Sequence, residues 1–268
     1  MKIAAIQMVS GTSVQSNLVQ TGQLLEQAAA QSVELAVLPE YFCLMGRQDT
    51  DKLKIHEQFG TGPIQDFLSQ SARKLGIWIV GGTLPMATAQ AGRARNSSLV
   101  FDPGGQCVAR YDKIHLFRFE NEQESYDESC VLERGTDPVT FDLASTDGHT
   151  YRIGMSICYD LRFPELYRQL KADILLVPSA FTFTTGQAHW EILLRARAIE
   201  NLAYVLASAQ GGVHENSRRT WGHSLIVGPW GEILAQHAQG SGVAVAEVDK
   251  GTLQLARTRL PALDHRAL

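Results

Sequence analysis

Short apolar runs alternate with amphipathic stretches along most of this chain. Residues 2–9 (KIAAIQMV) form an apolar run interrupted by Gln7, which predicts a buried first strand. Over residues 17–31, Leu18, Leu25 and Ala28/Ala29 share one helical face, and Ser16 is the candidate N-cap. Residues 34–40 (ELAVLPE) predict the next strand. Residues 63–76 predict a helix that starts at Pro63 and stops at Gly76, and a strand follows at 77–82. The middle of the chain reads as two hairpins: 97–102 with 106–113 around DPGG, and 139–143 with 150–158 around STDG. Alternation then resumes. It predicts a short helix at 164–171, a strand at 173–180, a helix at 188–201 and a strand at 203–209. A hairpin at 223–236 turns at Gly228-Pro229-Trp230-Gly231, and a closing strand follows at 243–249. Two mixed sheets flanked by helices are the simplest architecture for this order, though spacing alone also permits one doubly wound sheet.

The 268 residues are 44 % apolar and 19 % charged, with a formal net charge of −4. A chain of this make-up can bury a sizeable core and lacks the basic footprint of a nucleic-acid binder. No apolar stretch reaches the ~18–20 residues of a membrane-spanning helix, and no membrane partner is expected. The N-terminal run is too short for a signal-peptide core, so a cytoplasmic protein is expected. The four cysteines, Cys43, Cys107, Cys130 and Cys158, are then expected to be reduced. None forms C-x-x-C, no H-E-x-x-H occurs, and neither phosphate-binding glycine motif is present, so neither a metal nor a cofactor is expected. Gly154–Cys158 approximates a serine nucleophile elbow, but Cys158 stands where the last glycine belongs. Asn96-Ser97-Ser98 matches a glycosylation sequon of no use to a cytosolic chain, and Trp190, Trp221 and Trp230 read as core or interface residues.

Three residues stand where apolar strands end. Cys158 closes GMSIC and precedes a predicted helix, a turn that presents a side chain and points the next N–H groups outward. A thiolate nucleophile suits such a turn, and so does a buried structural cysteine. Glu40 closes ELAVLPE and Lys113 closes QCVARYDK; taken singly, each also reads as an ordinary strand-end charge.

Taken in order, LAVLPEYF, RYDKIHLF and MSICYDLRFPELYR resemble the three signature segments of the nitrilase superfamily, and the likeness spans nearly the whole chain. The resemblance implies a single carbon–nitrogen hydrolase domain over 1–268, folded as a four-layer αββα sandwich. It implies a homodimer paired across its helices, 164–171 and 188–201 being the interface candidates. It assigns Glu40, Lys113 and Cys158 as catalytic and places a second glutamate at Glu128, in SYDESCVLERGTDP; Glu120, Glu122, Glu124 and Glu133 are rivals. On this reading Glu40 takes the thiol proton, and Lys113 with the backbone N–H of Tyr159 holds the oxyanion of a thioester-forming reaction. The C-terminal half is similar to the Nit branch, which hydrolyses small amides bearing carboxylates. The expected substrate is deaminated glutathione, cleaved to 2-oxoglutarate and cysteinylglycine; 2-oxoglutaramate (an ω-amidase activity) or another small amide or carbamoyl compound is the alternative. Arg162 is the candidate for a substrate carboxylate, or else for an ion pair with Glu165 or Asp160. Phe181 and Thr185 are expected in the same pocket, and the loop carrying His214, Arg218 and Arg219 near its entrance. A non-catalytic family member that binds a partner through its surface is the contrasting reading; the intact Glu–Lys–Cys set argues against it.

Overall fold

A computed structural model describes residues 1–120, 122 and 125–267. The first half runs β1 (Lys2–Gln7), α1 (Val14–Ala29), β2 (Leu35–Val37), α2 (Pro63–Leu75), β3 (Trp78–Val80), β4 (Leu84–Ala87), β5 (Ala94–Phe101) and β6 (Cys107–Asp112). Next come a small hairpin, β7 (Arg118–Glu120) and β8 (Ser125–Asp127), then β9 (Thr140–Ala144), β10 (Thr150–Gly154), α3 (Pro164–Leu170) and β11 (Ile174–Leu176). The chain continues with α4 (Phe183–Asn201), β12 (Tyr204–Ala207), β13 (Gly211–Val213), β14 (Arg219–Trp221), β15 (Ser224–Val227), β16 (Ile233–His237), β17 (Gly242–Glu247) and α5 (Lys250–Arg259).

These strands build two mixed sheets. One has the order β17-β1-β2-β3-β5-β4, with β6 also on β5; the other has the order β16-β15-β12-β11-β10-β9. β1, β2 and β3 are mutually parallel, as are β10, β11 and β12. Side-chain alternation then dictates four layers. Ile3, Ala5, Leu35, Val37 and Val80 face the second sheet in one core. Their neighbours Ala4, Ile6, Ala36 and Ile79 turn the other way, onto Leu25 of α1 and Leu68 of α2. Trp190 and Leu194 of α4 and Leu166 of α3 cover the second sheet. This is the αββα sandwich, and it excludes the single doubly wound sheet. Among the described residues no helix is long and apolar enough to cross a membrane.

Gln7, the polar break in the first apolar run, is fully buried and joins the sheets. Its Oε1 accepts from the N–H and Oγ of Ser224 at 2.8 and 2.9 Å, and its Nε2 donates to the Gly240 carbonyl.

The differences from the sequence reading are local. Ser13, not Ser16, caps α1, and it accepts from the Ser16 N–H. α4 begins at Phe183, five residues before the expected 188, because Thr182 caps it there. β4, the β7–β8 and β13–β14 hairpins and α5 lacked periodicity long enough to show. The strands carrying the candidate residues stop early, β2 at Val37 and β10 at Gly154, so Glu40 and Cys158 lie in the turns beyond them.

One glycine fixes the first of these turns. Gly82 has φ +48°, and a Cβ there would lie 2.1 Å from the Pro39 carbonyl oxygen. Gly82→Ala is expected to destabilise the fold by about 1–3 kcal/mol and to lower activity, because the displaced turn carries Glu40. Denaturation midpoints and rates test this; wild-type values for both contradict it.

Candidate active site

Four segments converge at the carboxyl ends of the parallel strands. The turn after β2 is anchored by the Tyr41 N–H, which donates to Thr83 Oγ1 at 2.9 Å, and by the Glu40 carbonyl, which accepts from Gln210 Nε2 at 3.1 Å. Tyr41 itself has φ +58°, a left-handed conformation that costs a non-glycine residue energy and needs such anchoring. Lys113 follows β6; its N–H donates to the Asn96 carbonyl, and its own carbonyl accepts from Gly135. Glu128 opens a short 3-10 turn. Cys158, at φ +48°, opens another over Cys158–Arg162, and its N–H donates to the Pro178 carbonyl at 3.0 Å.

The fully buried Asp160 shapes the Cys158 turn. Its Oδ2 accepts from the Ile157 N–H at 2.8 Å and the Tyr111 hydroxyl at 2.7 Å, while Oδ1 pairs with the N–H and Nδ1 of His115.

Charge is concentrated at the centre. The Lys113 ammonium donates to Glu40 Oε1 at 2.9 Å and to Glu128 Oε1 and Oε2 at 3.0 and 2.8 Å. The side chains of Lys113 and Glu40 are each 1 % exposed, and that of Glu128 12 %. Asn96 Nδ2 also donates to Glu40 Oε1, at 2.8 Å, and the Ala180 N–H donates to Oε2 at 2.9 Å. The Tyr41 hydroxyl and the Phe117 N–H each donate to Glu128 at 2.7 Å. Burial alone would lower the Lys113 pKa, but the Glu128 and Glu40 carboxylates outweigh it and hold it well above the usual lysine value. Burial alone would likewise raise Glu128; Lys113 and, behind Tyr41, Lys52 outweigh it and hold the carboxyl well below the usual range. Burial pushes the Cys158 thiol up, and the adjacent Glu40 carboxylate adds to this against the pull of Lys113. Burial and the neighbouring Glu40 carboxylate therefore both favour the protonated form of the Cys158 thiol.

Glu40, Lys113, Glu128 and Cys158 line one cavity together with Tyr159, Arg162, Phe181 and Thr185. Of the rivals to Glu128, Glu120 and Glu122 are exposed, Glu133 pairs with Arg95, and Glu124 lies outside the described residues. Neither expected ion pair of Arg162 forms: its guanidinium lies 3.3 Å from His189 Nδ1 and over the Phe181 ring. The basic loop splits. Arg218 lines the cavity, whereas Arg219 lies over the Phe183 ring outside it, and His214 is buried between Ser10 and Thr220. The sequence reading missed Asn96, Tyr41 and Asp160. Asn96 was visible only as part of a sequon; the other two carried the weak signal of adjacency to Glu40 and Cys158. Cys43, Cys107 and Cys130 are free thiols, and among the described residues no three His, Cys, Asp or Glu side chains group as metal ligands.

The profile of the Carbon-nitrogen hydrolase family matches residues 2–258. A deaminated glutathione amidase from Synechocystis sp. is 41 % identical, with 98 % of this chain and 97 % of that protein covered. Another from Yersinia enterocolitica is 38 % identical, at 98 % and 92 % coverage. The crystal structure of Saccharomyces cerevisiae Nit3, a member of branch 10 of the nitrilase superfamily, superposes with a TM-score of 0.88 at 29 % identity, covering 100 % of this chain and 97 % of that one.

The charge cluster has a pH signature. Because its folded pKa is depressed, Glu128 contributes stability above its unfolded value of about 4.3, which is lost as pH falls through the folded value. Lys113, whose folded pKa is raised, contributes below its unfolded value of about 10.4 and loses this only as pH rises through the folded value. Lys113→Met leaves two carboxylates facing each other and is expected to cost about 3–5 kcal/mol near neutral pH. The deficit should shrink toward about pH 5, as the unpaired carboxyls take up a proton. Denaturant titrations at both pH values measure this, and a deficit independent of pH contradicts it.

Proposed function

The chain belongs to the carbon–nitrogen hydrolase family, whose members act on non-peptide C–N bonds, and we propose that it cleaves deaminated glutathione through a thioester on Cys158. That it is an amidase follows from full-length similarity to amidases. The observation that carries the catalytic assignment is the Glu40 carboxylate, set between the Lys113 ammonium and the Cys158 thiol.

In this reading Glu40 takes the thiol proton as the Cys158 sulfur attacks the amide carbonyl carbon. The oxyanion is held by the Lys113 ammonium and the Tyr159 N–H. The C–N bond then breaks, and the amine leaves with the proton from Glu40. A water gives its proton to Glu40 and attacks the thioester; the C–S bond breaks, the acid departs and the sulfur recovers its proton. Glu128 acts as an anchor and transfers no proton, because each of its oxygens already accepts two hydrogen bonds, Oε1 from Lys113 and Tyr41 and Oε2 from Lys113 and Phe117, whereas among the described residues Glu40 Oε2 accepts only from the Ala180 N–H. Arg162 receives the oxo-acid carboxylate of the substrate, beside Phe181 and Thr185.

Residues 1–268 act as one hydrolase domain, and the reducing cytoplasm suits a thiol nucleophile. A homodimer is supported by apolar side chains left in water on α4 and the adjacent β15–β16 turn: Ile192 is 71 % exposed, Ile199 46 % and Trp230 62 %. Sedimentation is expected to show a dimer that Ile192→Asp weakens; a wild-type monomer at micromolar concentration removes this element alone.

Cys158→Ala should abolish turnover and leave the far-UV spectrum and unfolding midpoint close to wild type; substantial residual turnover excludes the mechanism. Deaminated glutathione should be preferred over 2-oxoglutaramate in kcat/KM. A tenfold preference for 2-oxoglutaramate would reassign the enzyme as an ω-amidase.

A further inference from the structure

Several arginines near the sheets are paired with acids. Arg95, Arg110, Arg197 and Arg257 each reach a carboxylate. The two arginines of the catalytic cavity do not. Arg162 and Arg218 have no carboxylate partner among the described residues, although both border a pocket already charged by Glu40, Glu128 and Lys113. They come from different walls, Arg162 from the nucleophile turn and Arg218 from the hairpin that leads into β14.

Arg218 is held ready for a ligand. Its Nε is buried with no hydrogen-bond partner among the described residues, and Nη1 meets only the weak acceptor Met45 Sδ, at 4.0 Å. Its guanidinium lies over the Tyr126 ring at 4.9 Å, a cation–π contact that helps hold it in place. Its backbone is pinned as well: the N–H donates to Asn216 Oδ1 at 2.9 Å, and the carbonyl accepts from the His214 N–H at 2.9 Å. A half-buried guanidinium whose inner Nε has no acceptor is a costly arrangement unless an anion completes it. Arg218 also lies at the junction of the cavity with an open groove bordered by Gly46, Gln48, Tyr126 and Asn216. Because Arg218 borders both, a substrate longer than the cavity leaves it past Arg218 into the groove.

We infer that Arg218 is the receptor for a carboxylate carried on the leaving amine, so that the site selects amides with an anion at each end. This rests on the substrate reading above, in which Arg162 holds the oxo-acid end. A peptide-like leaving group ending in a carboxylate satisfies Arg218; ammonia does not.

The test compares three 2-oxoglutaryl amides: those of ammonia, of cysteinylglycine and of cysteinylglycinamide, the last having the same length without the terminal charge. Wild-type enzyme is expected to show a KM about tenfold lower for the free acid than for its carboxamide. Arg218→Ala should erase that difference, raising KM for the free acid about tenfold more than for either other amide, with kcat affected far less. Arg218→Lys, which keeps the charge and loses the fork, should fall between. Wild-type indifference to the terminal charge, or an Arg218→Ala penalty equal on all three amides, overturns the inference and leaves the amidase standing. Turnover of the ammonia amide alone overturns the inference and the deaminated-glutathione reading together.

Discussion

A buried ammonium shared by two carboxylates is the constraint around which this molecule is arranged. Removing charged groups from water costs several kcal/mol per ion, and the cost is offset only when every remaining lone pair and proton finds a partner. Lys113 finds Glu40 and Glu128, and those carboxylates in turn need Asn96, the Ala180 N–H, Tyr41 and the Phe117 N–H. The partners come from both sheets and from the loop after β6, so the cluster cannot form until the two halves of the fold have met. It also accounts for conformations that local sequence would avoid. Tyr41 and Cys158 both have positive φ without being glycine, and each sits where a less strained turn would move a side chain out of the cluster.

The sheet–sheet seam serves the same end. Gln7 and Gln210 are fully buried amides that tie β1, the Glu40 turn and the second sheet together at the edge where the cavity opens. Ser208 Oγ adds a bond to the Val37 carbonyl at 2.8 Å, one strand end from Glu40. Buried polar groups of this kind specify register more than they add stability. Here they fix how the carboxyl ends of two separate parallel strand sets face each other, and hence the separation of Glu40 and Cys158.

Much of this was legible in the sequence, for identifiable reasons. The long apolar runs and the caps at Pro63 and Gly76 marked the core strands and α2, because those signals are local. The resemblance of three segments, in their order, to the nitrilase signatures singled out Glu40, Lys113 and Cys158, and the structure brings all three together with Glu128 in one cavity. The rest is non-local. Nothing in NSS announces that Asn96 reaches Glu40, and no periodicity reveals that Asp160 holds the turn beside Cys158 through Tyr111 and His115. The three-residue strands of the β13–β14 hairpin are too short for alternation to show. Yet their register separates Arg218, which faces the cavity, from Arg219, which turns away.

The central claim is that the shared Glu40 carboxylate lets Cys158 form an acyl-enzyme. Acid-quenching the enzyme during turnover of deaminated glutathione, followed by peptide mass spectrometry, tests it most directly. The account predicts a 2-oxoglutaryl group on the peptide containing Cys158, lost on hydroxylamine treatment and strongly diminished in Glu40→Gln. Turnover with no acylated peptide at any quench time, or acylation of a residue other than Cys158, would contradict it.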